Sequence, residues 1–181
     1  MNVVEIKIIK MNELELLGLK YHTDKIGKHN YLPYYYKLFK DSQYWVKKVV
    51  EVGVAEGAGI RMFRDFFPNA MVYGAEIDKK RIFKEDRIQV IKCDQSKTDD
   101  LVNFLSITGF DIDIFVDDGS HEPKHQVHTC LTVLPLLKKE SVYIIEDVSD
   151  PSITEYFDDF DYKLVRVGER YDDQLLIVRQ K

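Results

Sequence analysis

The sequence predicts an α/β fold in which a mostly parallel sheet carries helices on both faces and ends in an antiparallel hairpin. Three observations lead there. Short apolar runs, Ile112 to Val116 and Val142 to Ile145, are the length of buried strands and end in acids, Asp117-Asp118-Gly119-Ser120-His121 and Glu146-Asp147. An earlier run, Val49-Val50-Glu51-Val52, opens into Gly53-Val54-Ala55-Glu56-Gly57-Ala58-Gly59 and then a helical pattern, Ile60, Phe63 and Phe67, stopped by Pro68. Last, Tyr162 to Val167 and Leu175 to Arg179 read as two strands joined by Gly168 to Gln174.

Taken in order, residues 1–10 alternate apolar and charged, which suits a short edge strand or a docked leader. Asn12 caps a short helix over Leu14, Leu16 and Leu17 that ends near Gly18, and Tyr31 to Lys40 forms a second helix. Its tyrosines, Tyr34 to Tyr36, read as amphipathic packing at the edge of the core rather than as ligand-stacking groups. Strands follow at Val49–Val52, Met71–Ile77, Arg87–Lys92, Phe110–Val116 and Val142–Ile145, with helices around Asp99–Ile107 and Gln126–Leu137, the latter shortened by Pro135. One domain accounts for residues 1–181, with a helical cap over 1–45 and the α/β core over 46–181.

The composition is globular, 45% hydrophobic and 31% charged. A net charge of -5 gives no general footprint for nucleic acid. Two cysteines, Cys93 and Cys130, without a CxxC or paired histidines, read as buried small hydrophobes in a reducing compartment. Glu5, Lys7 and Lys10 interrupt the start of the chain as a signal peptide would not allow, and no apolar run is long enough to span a bilayer. A cytoplasmic protein is expected.

The site is expected at the carboxyl edge of the sheet, where loops leaving neighbouring strands converge. Asp118, Glu146 and Asp147 would bring three hard oxygen ligands to one divalent cation, with His121 beside them as a base. The glycine loop matches neither the dinucleotide fingerprint nor a P-loop, and no lysine follows its last glycine. Glu51 would repel a phosphate and suits a cationic or hydroxyl-bearing ligand. Glu76, about 20 residues past the loop, stands where an acid accepts hydrogen bonds from ribose hydroxyls. Asp94 and Gln95 end the next strand, placed either to read an adenine or, for Asp94, to cap the following helix. His125 and His128 read as solvated or supporting groups.

Glu51-x-Gly53-x-x-x-Gly57-x-Gly59, the acid at Glu76 and the terminal hairpin together resemble the class I S-adenosylmethionine-dependent methyltransferases over residues 46–181. The resemblance implies a Rossmann-like sheet, with the glycine loop at the methionine part of the cofactor and Glu76 on its ribose. A narrower resemblance rests on Asp117 to His121, Glu146-Asp147, Cys93 to Ser96 and Thr23-Asp24-Lys25; these are similar to the metal-dependent sugar O-methyltransferases of the mycinamicin and macrocin type. It implies Asp118, Glu146 and Asp147 as magnesium ligands, His121 as base, Asp94 and Gln95 near adenine, and Thr23, Asp24 and Lys25 near the methionine end, with Asp117 also counted among the cofactor-binding residues.

The implied function is S-adenosylmethionine-dependent, metal-assisted methylation of a sugar hydroxyl on a glycan or glycosylated natural product. A catechol-like acceptor, a non-catalytic cofactor-binding subunit and a homo-oligomer stay open. An RNA acceptor is disfavoured by the acidic balance and by the absence of an Asn-Pro-Pro-Tyr type motif. The short stretch between Asp147 and Tyr162 implies a site without a substrate lid.

Overall fold

A computed structural model describes residues 11–181; the expected strand or leader over 1–10 lies outside them. The sheet has eight strands: β1 (Lys48–Val52), β2 (Met71–Glu76), β3 (Lys84–Glu85), β4 (Ile88–Lys92), β5 (Ile114–Asp117), β6 (Val142–Ile145), β7 (Phe160–Arg166) and β8 (Gln174–Gln180). Their order is β3-β4-β2-β1-β5-β6-β8-β7. β4, β2, β1, β5 and β6 run parallel, whereas β8 is antiparallel to both β6 and β7. The C-terminal hairpin therefore extends the edge, with the last strand inserted between β6 and β7. Among the described residues no helix is long and apolar enough to cross a membrane.

The central strands are buried on both faces, which is why they read as unbroken apolar runs. On one face Val49, Val72, Ile114 and Ile144 pack with residues of α1 (Glu13–Tyr21), α2 (Leu32–Phe39) and α3 (Ala58–Phe66), among them Leu14, Tyr35, Ile60 and Phe63. On the other, Val50, Phe115, Tyr143 and Ile145 pack with α4 (Thr98–Thr108) and α5 (Pro123–Val133) through Leu101, Phe104, Cys130 and Val133. Both cysteines are free and buried.

Local departures from the sequence reading have identifiable causes. α1 starts as expected, with a capping box in which Asn12 and Glu15 each accept from the other's backbone N–H. It continues past Gly18 because that glycine is a packing position: a Cβ there would lie 2.3 Å from Leu32 Cδ1. The stop is His22, in the left-handed region at φ 57°. β5 begins at Ile114 rather than Phe110, since Asp113 turns its carboxylate to the backbone N–H groups of Lys47 and Lys48, at 2.7 and 2.9 Å. α5 starts at Pro123, a residue suited to the first helical turn, and Pro135 reduces its end to a 3-10 turn, Leu134–Leu136. β3, too short to carry a period, was not expected. The stretch after Asp147 forms a 3-10 segment, Pro151–Phe157, whose Ile153 and Phe157 are buried.

α1 is fastened to α3 by Asp65, which accepts from Lys20 Nζ at 2.7 Å, Tyr21 OH at 2.5 Å and Arg64 Nε at 2.9 Å. Partial burial works to raise its pKa, but these three donors outweigh it and hold the carboxyl at about 2. An acid depressed below its ordinary 3.8 stabilises the fold above that value and ceases to do so as pH falls through 2. Asp65→Asn is therefore expected to lower stability at pH 7 by about 1 kcal/mol, after allowing for solvent screening, with the difference shrinking as the pH approaches 2 in urea titrations.

Candidate active site

The carboxyl ends of β1, β5 and β6 lie side by side, and the loops leaving them touch. Gly53 makes the first contact possible: its φ is +81°, and a Cβ would fall 2.1 Å from the Asp118 carbonyl oxygen. The β1 and β5 loops thus meet backbone to backbone. Gly57 caps α3 in the left-handed region, facing Arg61 and Phe83 rather than the edge. Gly59 lets α3 lie against Glu51, whose Oε1 is 2.4 Å from where its Cβ would be.

Two hollows open at this edge. The larger, about 480 Å³, is lined by Gly53, Glu76, Asp94, Gln95, Asp118 and Gly119, among others. The smaller, about 230 Å³, is lined by Thr23, Asp24, Lys25, Glu51, Gly59 and Asp118. Gly53 and Asp118 border both, so they form one branched cleft. Of the residues expected around a cofactor, all but Gly57 and Asp117 line it.

Several of those residues also serve the protein's own backbone. Glu76 Oε2 accepts from the N–H groups of Val54 and Ala55, at 3.1 and 3.0 Å, and so holds the glycine loop. Asp94 accepts from the Ser96 N–H and hydroxyl in a local turn without capping α4. The Gln95 amide donates to Asp117 Oδ1 at 2.9 Å and accepts from the Ser120 N–H. Asp117, expected among the cofactor-binding residues, lines neither arm of the cleft: it is 1% exposed and also accepts from Tyr143 OH at 3.2 Å. It braces the turn from beneath.

The acidic cluster is organised by a cation the sequence assigned elsewhere. Lys25, 1% exposed, places Nζ 2.5 Å from Asp118 Oδ2, 2.8 Å from Glu146 Oε2 and 3.2 Å from Glu51 Oε1. Burial alone would lower the Lys25 pKa, but Asp118, Glu146 and Glu51 hold it well above the ordinary value. A single ammonium cannot fully compensate three carboxylates. Asp118 is kept below its usual value, Lys25 and His121 overcoming its burial, while burial pushes Glu51 up to about 7 and Glu146 well above the carboxylate range despite Lys25. Glu51 Oε2 has no hydrogen-bond partner among the described residues.

Above this layer Asp118, His121 and Asp147 bring potential ligand atoms within 4.8 Å of one another. His121 Nε2 lies 3.5 Å from Asp118 Oδ1 and 3.3 Å from Asp147 Oδ2, and its pKa is raised, first by the Asp118 hydrogen bond and then by the nearby acids against its partial burial. Glu146, grouped with them from the sequence, stands one layer deeper: Oε2 meets Lys25 and Oε1 accepts from Tyr35 OH at 2.5 Å. Tyr31 OH donates to Asp147 Oδ1, and the Gln126 amide donates to the Glu146 carbonyl at 2.9 Å. Sequence reading missed Tyr31, Tyr35 and Gln126. The four-residue spacing of the tyrosines, which sets two hydroxyls on one side of α2, was the available signal.

Asp117 carries a pH signature. Burial raises its carboxyl to about 7, against the opposing bonds from Gln95, Gly119 and Tyr143. The unfolded chain releases this proton near 3.8 and the folded chain near 7, so the folded state loses ground between those values and levels off above. Asp117→Asn keeps an acceptor for Gln95 and the Gly119 amide. Urea titrations should find it less stable than wild type by under about 1 kcal/mol at pH 5 and equal or more stable above pH 7.

No protein-family model matches the chain. In sequence it is 33% identical over 153 residues to 8-demethyl-8-alpha-L-rhamnosyl tetracenomycin-C 2'-O-methyltransferase of Streptomyces olivaceus, covering 79% of this chain and 40% of that protein. It is 32% identical over 144 residues to mycinamicin VI 2''-O-methyltransferase of Micromonospora griseorubida, covering 75% of this chain and 36% of the relative. The chain thus spans well under half the length of these relatives. In structure, the MycE methyltransferase of the mycinamycin biosynthetic pathway, solved with Mg, SAH and mycinamycin VI, superposes with a TM-score of 0.78 at 25% identity, over 94% of this chain and 55% of that one. The chain has the class I methyltransferase fold and is related in sequence to the sugar O-methyltransferases of natural-product pathways.

Proposed function

We propose that this chain is an S-adenosylmethionine-dependent O-methyltransferase that uses a divalent cation, magnesium by preference, to methylate a sugar hydroxyl. The observation that carries the reading is the convergence of Asp118, His121 and Asp147 at the cleft, in a chain related to sugar O-methyltransferases. Two carboxylates whose oxygens come within 4.8 Å of one another, with an imidazole beside them, fit a hard divalent cation. Asp118 and Asp147 would hold it. When bound, such a cation lowers the pKa of a hydroxyl and orients it.

The chain's own groups would do the rest. Neutral His121, 45% exposed on its side chain, faces the open side and would take the proton from the acceptor hydroxyl as the methyl group passes from sulfur to oxygen. The branched cleft would take the cofactor, its larger arm holding the nucleoside between Glu76 and Asp94 and its smaller arm the methionine end by Asp24 and Glu51. Asp118, bordering both arms, would set the cation beside the transferred methyl group.

The test is calorimetric titration of S-adenosylmethionine and S-adenosylhomocysteine with and without magnesium, followed by turnover on a panel of glycosylated acceptors. Wild type should bind both ligands. Asp118→Ala should lose magnesium binding and turnover together, and His121→Ala should lose about 10²–10⁴-fold in turnover with S-adenosylhomocysteine affinity spared. A fully active His121→Ala protein would refute the base assignment, and absence of cofactor binding under all conditions would refute the methyltransferase reading itself.

A further inference from the structure

Asp147 has a left-handed backbone, as do His22 and Ala55 along the cleft. It is not glycine, yet its φ is +52°, in the left-handed region that side chains other than those of Asn and Asp seldom adopt. Such a conformation persists at a site only where its surroundings determine it. Two side chains hold it here: the Gln126 amide donates to the Asp147 carbonyl at 3.4 Å, and Tyr31 takes the groups on its other side. The Tyr31 hydroxyl accepts a hydrogen bond from the Asp147 N–H at 3.3 Å and donates its own to Asp147 Oδ1. One oxygen and the amide are thereby held by the same atom, and the other oxygen, Oδ2, is left facing His121 Nε2 at 3.3 Å.

Tyr31 is itself immobilised. It is 1% exposed, and His29 stacks on its ring with centroids 4.9 Å apart and planes inclined by 15°. His29 is tied in turn to the loop between β7 and β8, its Nδ1 lying 2.7 Å from Asp173 Oδ1. The nearby group of His29, Asp172 and Asp173 could suggest a second cation site, but its carboxylates are already engaged: Asp172 by the Arg170 guanidinium, and Asp173 by His29 and the Arg170 N–H. That group is a brace behind the tyrosine.

Resting on the metal-assisted reading above, we infer that Tyr31 is the positioning residue for Asp147: its hydroxyl fixes the left-handed backbone and one carboxylate oxygen, so that the other is presented to the divalent cation. Groups that orient a metal ligand from behind typically contribute about 10–100-fold to metal affinity. Tyr31→Phe removes one oxygen and keeps the ring that packs on His29. It leaves the Asp147 N–H without its partner and Oδ1 with only the longer contact to His29 Nδ1, at 3.5 Å. The residue has no contact with the cofactor arms of the cleft.

The experiment is titration of Mn²⁺, and separately of S-adenosylhomocysteine, into the full chain as wild type, Tyr31→Phe and Tyr21→Phe. Tyr21 loses a hydroxyl of similar hydrogen bonding to Asp65, away from the cleft, and controls for general loosening of the N-terminal helices. The expected result is Mn²⁺ affinity reduced about 10–100-fold in Tyr31→Phe alone, with S-adenosylhomocysteine affinity within about twofold of wild type in both variants. Mn²⁺ affinity in Tyr31→Phe within twofold of wild type would overturn the inference. So would a parallel loss of both ligands, which would mark a structural role only. Wild type that binds S-adenosylhomocysteine but no Mn²⁺ would overturn the metal-assisted reading beneath it.

Discussion

The buried ammonium of Lys25 is the interaction on which the site depends. Three strand ends placed side by side bring Glu51, Asp118 and Glu146 into one poorly solvated space, and their mutual repulsion would open the edge of the sheet if nothing compensated it. Lys25 reaches all three. A buried ion cluster of this kind is weak as a source of stability, because desolvation consumes most of the Coulombic gain, but removing one partner strands the others and costs about 3–5 kcal/mol in general. The cation is supplied by the segment between α1 and α2, not by the sheet. Those residues are therefore an integral wall of the cleft: Thr23 and Asp24 line its smaller arm because Lys25 must reach inward beside them.

The same segment distributes charge unevenly, which suits the chemistry proposed. Lys25 settles on Asp118 most closely, and Asp118 stays ionised while Glu51 and Glu146 are pushed toward neutrality. The outer layer, Asp118 and Asp147, keeps carboxylate oxygens toward His121; in the inner layer Glu146 is satisfied by Lys25 and Tyr35. A cluster with all its charge at the surface would bind any passing cation loosely. Here the inner groups are spent on geometry and the outer ones are left for ligands.

The sheet was legible because burial on both faces writes an unbroken apolar run, and acids after such runs mark where strands leave the core. Val49–Val52 and Val142–Ile145 carried that signal clearly; the glycine loop read as a place where backbone approaches a ligand, and its approach to Asp118 at Gly53 was not legible. Periodicity failed where a residue serves tertiary rather than local structure. Gly18 looked like a helix end and is a slot for Leu32; Asp113 looked like part of a strand and is a bracket for two backbone amides. Within the site, the residue types at the strand ends were legible, and the depth of each was not. Glu146 and Asp147 are adjacent in sequence, yet the left-handed backbone at Asp147 sends their side chains to different layers. Nothing in the order of two acids reveals that. The roles of Lys25, Tyr31 and Tyr35 were equally hidden, because each acts on a residue more than a hundred positions away, or nearly so, and a single sequence records no such pairing.

One consequence of this layering concerns how the two arms of the cleft communicate. Asp118 lies on the border of both, its carbonyl against Gly53 and its carboxylate between Lys25 and His121. The backbone there has no slack, since a single methyl group at position 53 would overlap the Asp118 oxygen. The glycine loop is held on its far side by Glu76 through the Val54 and Ala55 amides. Glu76 and Asp118 both line the larger arm, and the strip from Val52 to Ala55 is the physical link between them. Interiors this closely packed respond as a unit rather than by continuous deformation. Under the proposed function, cofactor and cation would then be registered to each other by backbone contacts, and the open side by His121 would be left to the acceptor.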